Sequence, residues 1–166
     1  MIQTKSGSSK KKGIEIMDLF KIFSISGAGM SAQRSRMTVV AGNLANAETT
    51  RTPEGGPYKR RDVIFQAAPA GDSFADFLGV GAAERAEEPL GVEVAGVRQS
   101  SRPPRKIFDP HHPDANAEGY VALPDINAME EMVDMMSAAR SYEANLSAFN
   151  TTKSLIRRLL EIGRGS

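Results

Sequence analysis

Two stretches of this chain carry a helical hydrophobic rhythm, and they lie at its two ends. Between about Asp18 and Ala47, Phe23, Met30, Met37 and Leu44 recur at a spacing of seven. Val40 and Ala41 fill the gaps, while Gly27, Ala28, Gly29 and Ala32 thin one end. That spacing predicts a helix with one apolar stripe, the seam that packs on another helix. Pro53, Gly55 and Gly56 end the pattern. Between about Asn127 and Ile162 the rhythm is stronger. Met132, Met135, Ala139, Tyr142, Leu146, Phe149, Ile156 and Leu160 follow alternating steps of three and four, broken only at Lys153. This is the a/d seam of a coiled coil, sustained over about four heptads. A single amphipathic helix on its own core is the plainer alternative, but a two-helix chain offers little else to cover so long a stripe.

The segment between the helices, 48–126, holds most of the Pro and Gly. Short β-like runs stand out in it: "YKRRDVIFQA", "PLGVEVAGVRQ" and "GYVAL", with turn residues between them. The Ala/Gly-rich, acidic stretch near 66–90 reads as a flexible insertion. Residues 1–17 are rich in Ser, Gly and Lys and read as a disordered extension. The fold class is therefore α+β. Long helices at 18–47 and 127–162 pair as a coiled-coil-like core, and a small β-rich region is inserted between them.

Composition sharpens this picture. The chain has 166 residues, enough for one domain with extensions. Aromatic content is only 6%, with no Trp, a thin supply of large core residues, so burial is expected to be completed against other chains. A net charge of +1 gives no global field for nucleic acid or anionic lipid. Without Cys there is no disulfide framework, thiolate metal site or cysteine nucleophile. No apolar run approaches a membrane span, so membrane insertion is not expected. The basic start is followed by Glu15, Asp18 and Lys21 rather than a clean apolar run, so no cleaved signal peptide is expected. Met17, where the periodic pattern begins, is a candidate start residue.

Candidate chemistry is sparse. Asp114, Asn116, Glu118, Gly119 and Asp125 sit at the spacing of a calcium-binding loop. Pro110 and Pro113 forbid the entering helix, and Pro124 precedes the last ligand, so a tight turn with Gly119 at positive φ is preferred. His111 and His112 are adjacent and lack partners for a zinc site. Glu130 and Glu131 open the second helix, where the macrodipole favours acids. Lys59–Arg61 and Arg102–Lys106 are local basic patches on a near-neutral chain, which argues against nucleic acid. No catalytic residue, cofactor or metal is assigned.

The stretch "GMSAQRSRMTVVAGNLANAETTRTPEGGPYKRRDVIF" resembles the N-terminal signature of bacterial flagellar basal-body rod proteins, and most of all a proximal-rod member. "DPHHPDANAEGYVALPDINAMEEMVDMMSAARSYEANLSAFNTTKSLI" resembles their C-terminal half. Together the two blocks cover about two-thirds of the chain, in the right order. The resemblance implies an axial structural protein whose terminal helices form an inner domain and whose copies stack into the rod that carries torque across the periplasm. It implies export by the flagellar type III apparatus. The partners it implies are its own copies, the rod proteins FlgB, FlgF and FlgG, and the junction protein FliE.

In such an assembly the apolar seams, Phe23, Met30, Met37 and Leu44 with Met132, Met135, Tyr142, Leu146, Phe149, Ile156 and Leu160, are expected at the interface. Asn43 and Asn46 offer donors and acceptors across a close contact. Thr49, Arg51 and Tyr58 lie in an arm expected to reach an adjacent subunit. Glu143, Asn145 and Asn150 repeat the device on the second helix, where one polar group fixes register at a cost in stability. Two rival classes stand beside this reading: a coiled-coil adaptor or binding module with a calcium-stiffened loop, and a cell-wall-acting enzyme.

Overall fold

A computed structural model describes residues 6–69 and 90–164. In chain order the elements are α1 (Ser6–Ala45), β1 (Arg61–Pro69), β2 (Leu90–Gln99), β3 (Arg105–Phe108), β4 (Tyr120–Leu123) and α2 (Ala128–Arg164). The fold is α+β, with two long helices from the chain ends and small antiparallel strand pairing between them. β1 pairs with β2, and β3 pairs antiparallel with β4, Arg105 opposite Leu123 and Phe108 opposite Tyr120.

α1 starts at Ser6, well ahead of the expected Asp18. Residues 6–17 are thus helical rather than disordered, while residues 1–5 lie outside the described residues. Composition misled here because it ignores cooperativity. Once a helix is nucleated, each added residue gains a backbone bond for two dihedrals fixed, and no proline interrupts Ser6–Ala45. The expected insertion is trimmed at both edges, since 66–69 belong to β1 and Leu90 to β2; residues 70–89 lie outside the described residues. β3 was not expected at all, because "RPPRK" reads as a basic patch and its prolines mask the short strand.

The chain divides into two compact units, and both helices contribute to each. One comprises Met1–Ala32, Gln66–Glu93 and Tyr142–Ser166. Here Phe23 stacks on Phe149 with ring centroids 3.9 Å apart. Gly29 faces Asn145 so closely that a Cβ on it would lie 2.9 Å from the Asn145 amide nitrogen. Ser26 and Thr152, both buried, return their hydroxyls to the Ile22 and Ala148 carbonyls of their own helices at 2.9 and 3.0 Å, which satisfies them without a partner helix.

The other unit comprises Gln33–Phe65 and Val94–Ser141. Its buried apolar residues are Val40, Val121, Ile126 and Ala138, with Pro124 beside them. Two hydrogen-bonded turns organise its loops. Thr52 N–H donates to Gly56 and Gly55 N–H to Thr52, with Gly55 and Gly56 at positive φ. Asn116 Oδ1 accepts from Glu118 and Tyr120 N–H at 3.0 and 2.8 Å. Gly119 then takes φ +80, where its missing Cβ would meet the Phe108 ring at 2.9 Å. Two of the residues at calcium-loop spacing are spent in this way: Asn116 on the turn, and Asp114 as acceptor of the Thr50 hydroxyl at 2.7 Å. The tight-turn reading of this loop matches its geometry.

The seams sit one residue away from where periodicity placed them. On α2 the buried positions are Glu131, Ala138 and Thr152, with Asn145 half-buried, all at a spacing of seven. Met135, Tyr142, Phe149 and Ile156 flank them, half-buried. Met132, Leu146 and Leu160, expected in the seam, are exposed. On α1, from residue 21 onward, the buried positions are Ser26, Gly29, Ala32, Val40 and Asn43, whereas Phe23, Met30, Met37 and Leu44 are half-buried flanks. Small and polar side chains take the closest approach because bulky ones would hold the helix axes apart.

Glycine substitutions separate these environments. Gly27→Ala, with nothing within 4 Å of the added methyl, is expected to raise stability by up to ~1 kcal/mol through helix propensity. Gly119→Ala is expected to lower it by ~1–3 kcal/mol, because the residue must hold positive φ against the Phe108 ring. Urea unfolding of the purified chain, followed by circular dichroism, reads both; equal effects of the two changes would refute the assignment.

Candidate functional site

α1 ends where its last carbonyls lack donors, and the N-L-A-N segment supplies one. Asn46 Nδ2 donates back to the Gly42 carbonyl at 2.8 Å, closing the last turn. Asn46 Oδ1 accepts the Thr49 hydroxyl at 3.1 Å, and the Thr49 carbonyl accepts Tyr58 N–H at 3.1 Å. The chain is thereby folded back so that Tyr58–Asp62 runs against the helix pair of the same unit.

Asn43 receives it. Its side chain is 0% exposed and makes four hydrogen bonds, the full complement of a carboxamide. Nδ2 donates to the Arg61 carbonyl at 2.8 Å and to Glu131 Oε2 at 3.0 Å. Oδ1 accepts from Arg61 N–H at 2.9 Å and from the Tyr58 hydroxyl at 3.2 Å. The amide thus pairs with the Arg61 backbone as a neighbouring strand would, while reaching across to α2.

Glu131, 1% exposed, is held on its other oxygen by Arg60 Nε at 2.6 Å. Arg60 also bonds Asp62 and lies 3.7 Å from Asp134, which in turn accepts Arg36 Nη2 at 3.1 Å. Two guanidiniums and three carboxylates therefore share one network. Burial works against the Arg60 charge, but the Glu131 hydrogen bond and the surrounding carboxylates more than offset it and leave its pKa raised. Burial also raises the Tyr58 pKa; Arg61, over the ring at 5.5 Å, opposes this and Glu131 adds to it. Ser100 N–H donates to the Arg60 carbonyl at 2.7 Å, tying the end of β2 to the same point. Beside the network lies an open groove of about 300 Å³ with Val39, Val40, Val63 and Phe65 on its walls.

This arrangement is a latch. Every carboxylate in it already accepts a hydrogen bond or an ion pair, which leaves none placed as a free general base. Among the described residues no group of three or more His, Asp or Glu gathers at metal-binding distance. Of the residues expected at an interface, the latch unites only Asn43 and Tyr58, with Asn46 and Thr49 in the turn that leads to them. Asn43 is saturated within its own chain, so the contact with a neighbour expected of it is taken up internally. Arg51, Glu143 and Asn150 are exposed. Arg60, Glu131 and Asp134 were missed. Their sequence signal was acids in the first turns of α2 facing a basic triplet, a pattern that helix-end electrostatics and surface solvation also explain.

The two helical ends match known families. Residues 23–51 match the family described as flagella basal body rod protein, and residues 117–162 match the flagellar basal body rod FlgEFG protein C-terminal family. The chain is 41% identical to the flagellar basal-body rod protein FlgC of Borreliella burgdorferi over 90% of this chain and 100% of that protein. It is 40% identical to FlgC of Bacillus subtilis and 39% identical to FlgC of Salmonella typhimurium, in each case over 89% of this chain and all of the relative.

Asn43→Leu should cost ~3–5 kcal/mol, since it leaves Glu131, the Arg61 peptide and the Tyr58 hydroxyl without their partner. Asn43→Asp should be at least as damaging at neutral pH, because it sets a carboxylate oxygen against Glu131 and the Arg61 carbonyl. A loss below ~1 kcal/mol in chemical denaturation would overturn the latch. Tyr58→Phe should cost about 1 kcal/mol at pH 7. The folded state holds the Tyr58 proton more tightly than the unfolded chain, so this contribution is complete below the phenol's ordinary pKa of 10.0 and is lost as pH rises through the folded value. The wild type should therefore lose stability above pH ~10 more steeply than Tyr58→Phe.

Proposed function

The chain belongs to the FlgC family of flagellar basal-body rod proteins, structural subunits of the basal body, and we propose that it stacks with its own copies in the proximal rod, which carries torque across the periplasm. Family membership supports association with other flagellar rod components. Its finer neighbours, on this reading, are FlgB and FlgF in the proximal rod, FlgG beyond them and FliE at the junction with the membrane ring. It reaches the rod through the flagellar type III export apparatus without a cleaved signal peptide, and it performs no catalysis. No helix among the described residues is long and apolar enough to cross a membrane.

The observation that carries this reading is the inverted helix pair. Polar and small side chains occupy the closest contacts inside each unit, while Met129, Met132, Val133, Met136, Leu146, Leu155 and Leu160 of α2 are exposed. Apolar side chains left out of a subunit's own core are a resource for burial against neighbours. The latch supports it from the other side, because a fully bonded polar network centred on the buried Asn43 and Glu131 holds one register under load better than an adaptable apolar seam. The rival readings gain nothing comparable: the loop acceptors at Asn116 and Asp114 are committed to turn bonds, and the latch carboxylates to guanidiniums.

Leu146→Lys tests the reading in cells. Leu146 is exposed on the subunit, so the variant should fold and be exported normally. It should nevertheless fail to enter the rod, leaving cells non-motile and without hooks. Motility at the wild-type level would refute a packed role for this face, and loss of secretion would point to an export defect instead.

A further inference from the structure

Half of the chain's eight methionines, Met129, Met132, Met135 and Met136, gather in the first turns of α2. Three of them are open to water: Met129 is 68% exposed, Met136 55% and Met132 45%. Met135 is half-buried, as are Met30 and Met37 on α1. At 100° per residue the three exposed methionines fall within ~60° of one another around the helix. Val133 shares their face, and Arg140 closes it one turn after Met136. Glu131 and Ala138, buried in the same unit, lie on the far side of the helix. Glu131 and Asp134 carry the latch bonds of α2, so no latch group stands among the three thioethers.

A thioether sulfur keeps a nucleophilic lone pair whatever the pH. Against hydrogen peroxide the sulfur attacks one oxygen. An S–O bond forms as the O–O bond breaks, and the sulfur gives up two electrons. The departing oxygen takes the remaining proton and leaves as water, so the products are a sulfoxide and water. The oxidant must reach the sulfur, so the rate follows exposure, and methionine sulfoxide reductases reverse the change. Each sulfoxide replaces a soft apolar group with a polar acceptor. Three of them on one face make an apolar surface polar, and burying them against a neighbour without donors is costly. None of the three fills the core of its own unit, so the fold does not depend on them.

We propose that Met129, Met132 and Met136 form an oxidation site of the free subunit. Peroxide converts them to sulfoxides ahead of Met30, Met37 and Met135, and the polar face that results keeps the subunit out of the assembly. The second step rests on the self-association reading above. A thioether covered by a neighbour is out of reach of solvent, so the site acts before incorporation and spares subunits already in place. Oxidised copies are held back rather than built in, and reduction returns them to use.

The first step is read on the purified chain, treated with hydrogen peroxide, quenched, digested and mapped by mass spectrometry, once folded and once in urea. Folded, Met129, Met132 and Met136 should oxidise at least about threefold faster than Met30, Met37 and Met135, and urea should abolish the difference. Equal rates in the folded chain, or loss of helix by circular dichroism once the three are oxidised, would overturn the site. The second step is read in cells with two triple variants. Met129→Leu, Met132→Leu and Met136→Leu together keep the face apolar without sulfur, and the same three positions changed to Gln make it polar as a sulfoxide does. The glutamine triple should be secreted like the leucine triple, yet purified basal bodies should contain at least about tenfold less of it. Equal incorporation of the two, or a secretion defect of the glutamine triple, overturns the proposal. Leu146→Lys, scored in the same strain, separates the two readings. If it enters the rod, self-association through the exposed side of α2 is wrong. If it is excluded while both triples enter equally, that reading stands and only the oxidation site is wrong.

Discussion

One buried carboxamide holds half of this molecule in register. Asn43 is inaccessible to water, and every donor and acceptor on it is used. A buried amide left half-satisfied costs ~1–3 kcal/mol for each missing bond, so its surroundings are not negotiable. α2 must bring Glu131 to one side and the returning chain must bring the Arg61 peptide to the other. Arg60 then has one place to go, because Glu131 is a buried carboxylate that needs a cation, and Arg60 is the neighbour of the residue already pinned. The route of the chain from α1 into β1, and the tie from β2 at Ser100, follow from that one point.

A polar seam has a thermodynamic consequence. Buried ion pairs and amides contribute little net stability compared with well-packed hydrocarbon, but they discriminate strongly between registers. In the unit built from Tyr142 and its neighbours the same logic takes another form. There Gly29 admits the Asn145 side chain at a distance no larger residue would permit. In both units the closest approach of the helices goes to small or polar groups, and the bulky apolar residues are pushed to the flanks. The subunit gives up part of its own hydrophobic stabilisation and keeps a single arrangement, the combination suited to a part that is to be locked into a larger structure.

The family of this chain fits that design. The family is one of structural rod subunits, and the chemistry-like residues named in the sequence are taken up by architecture. Asn116 shapes a turn, Asp114 holds Thr50 and Glu131 anchors Arg60. The acidic start of α2 is the instructive case. Glu130 and Glu131 are adjacent and chemically alike, yet Glu130 is exposed and bonded to Asn127, while Glu131 is the innermost acid among the described residues. A rotation of 100° around the helix axis separates a solubilising residue from a structural one.

The sequence by itself determined the element types and their order. Every proline lies between Pro53 and Pro124, so the two ends were free to be helical and the middle was not. Three of the four strands among the described residues could be read from β-branched runs between turn residues, and the turn at Gly119 from the need for positive φ. The family signature was legible in the N-L-A-N and G-G-P-Y blocks. Only the tertiary structure decided which face of each helix turns inward. Periodicity locates a stripe by where the large apolar residues are, and assumes that they are the ones buried. Here the helices approach too closely for that, and the inward face is one residue round, at Asn43, Glu131, Ala138 and Gly29. No pattern in a single sequence separates a buried, fully bonded Asn or Glu from one exposed to water, because the residue is the same and what differs is whether its partners, 18 and 88 residues away, arrive to satisfy it.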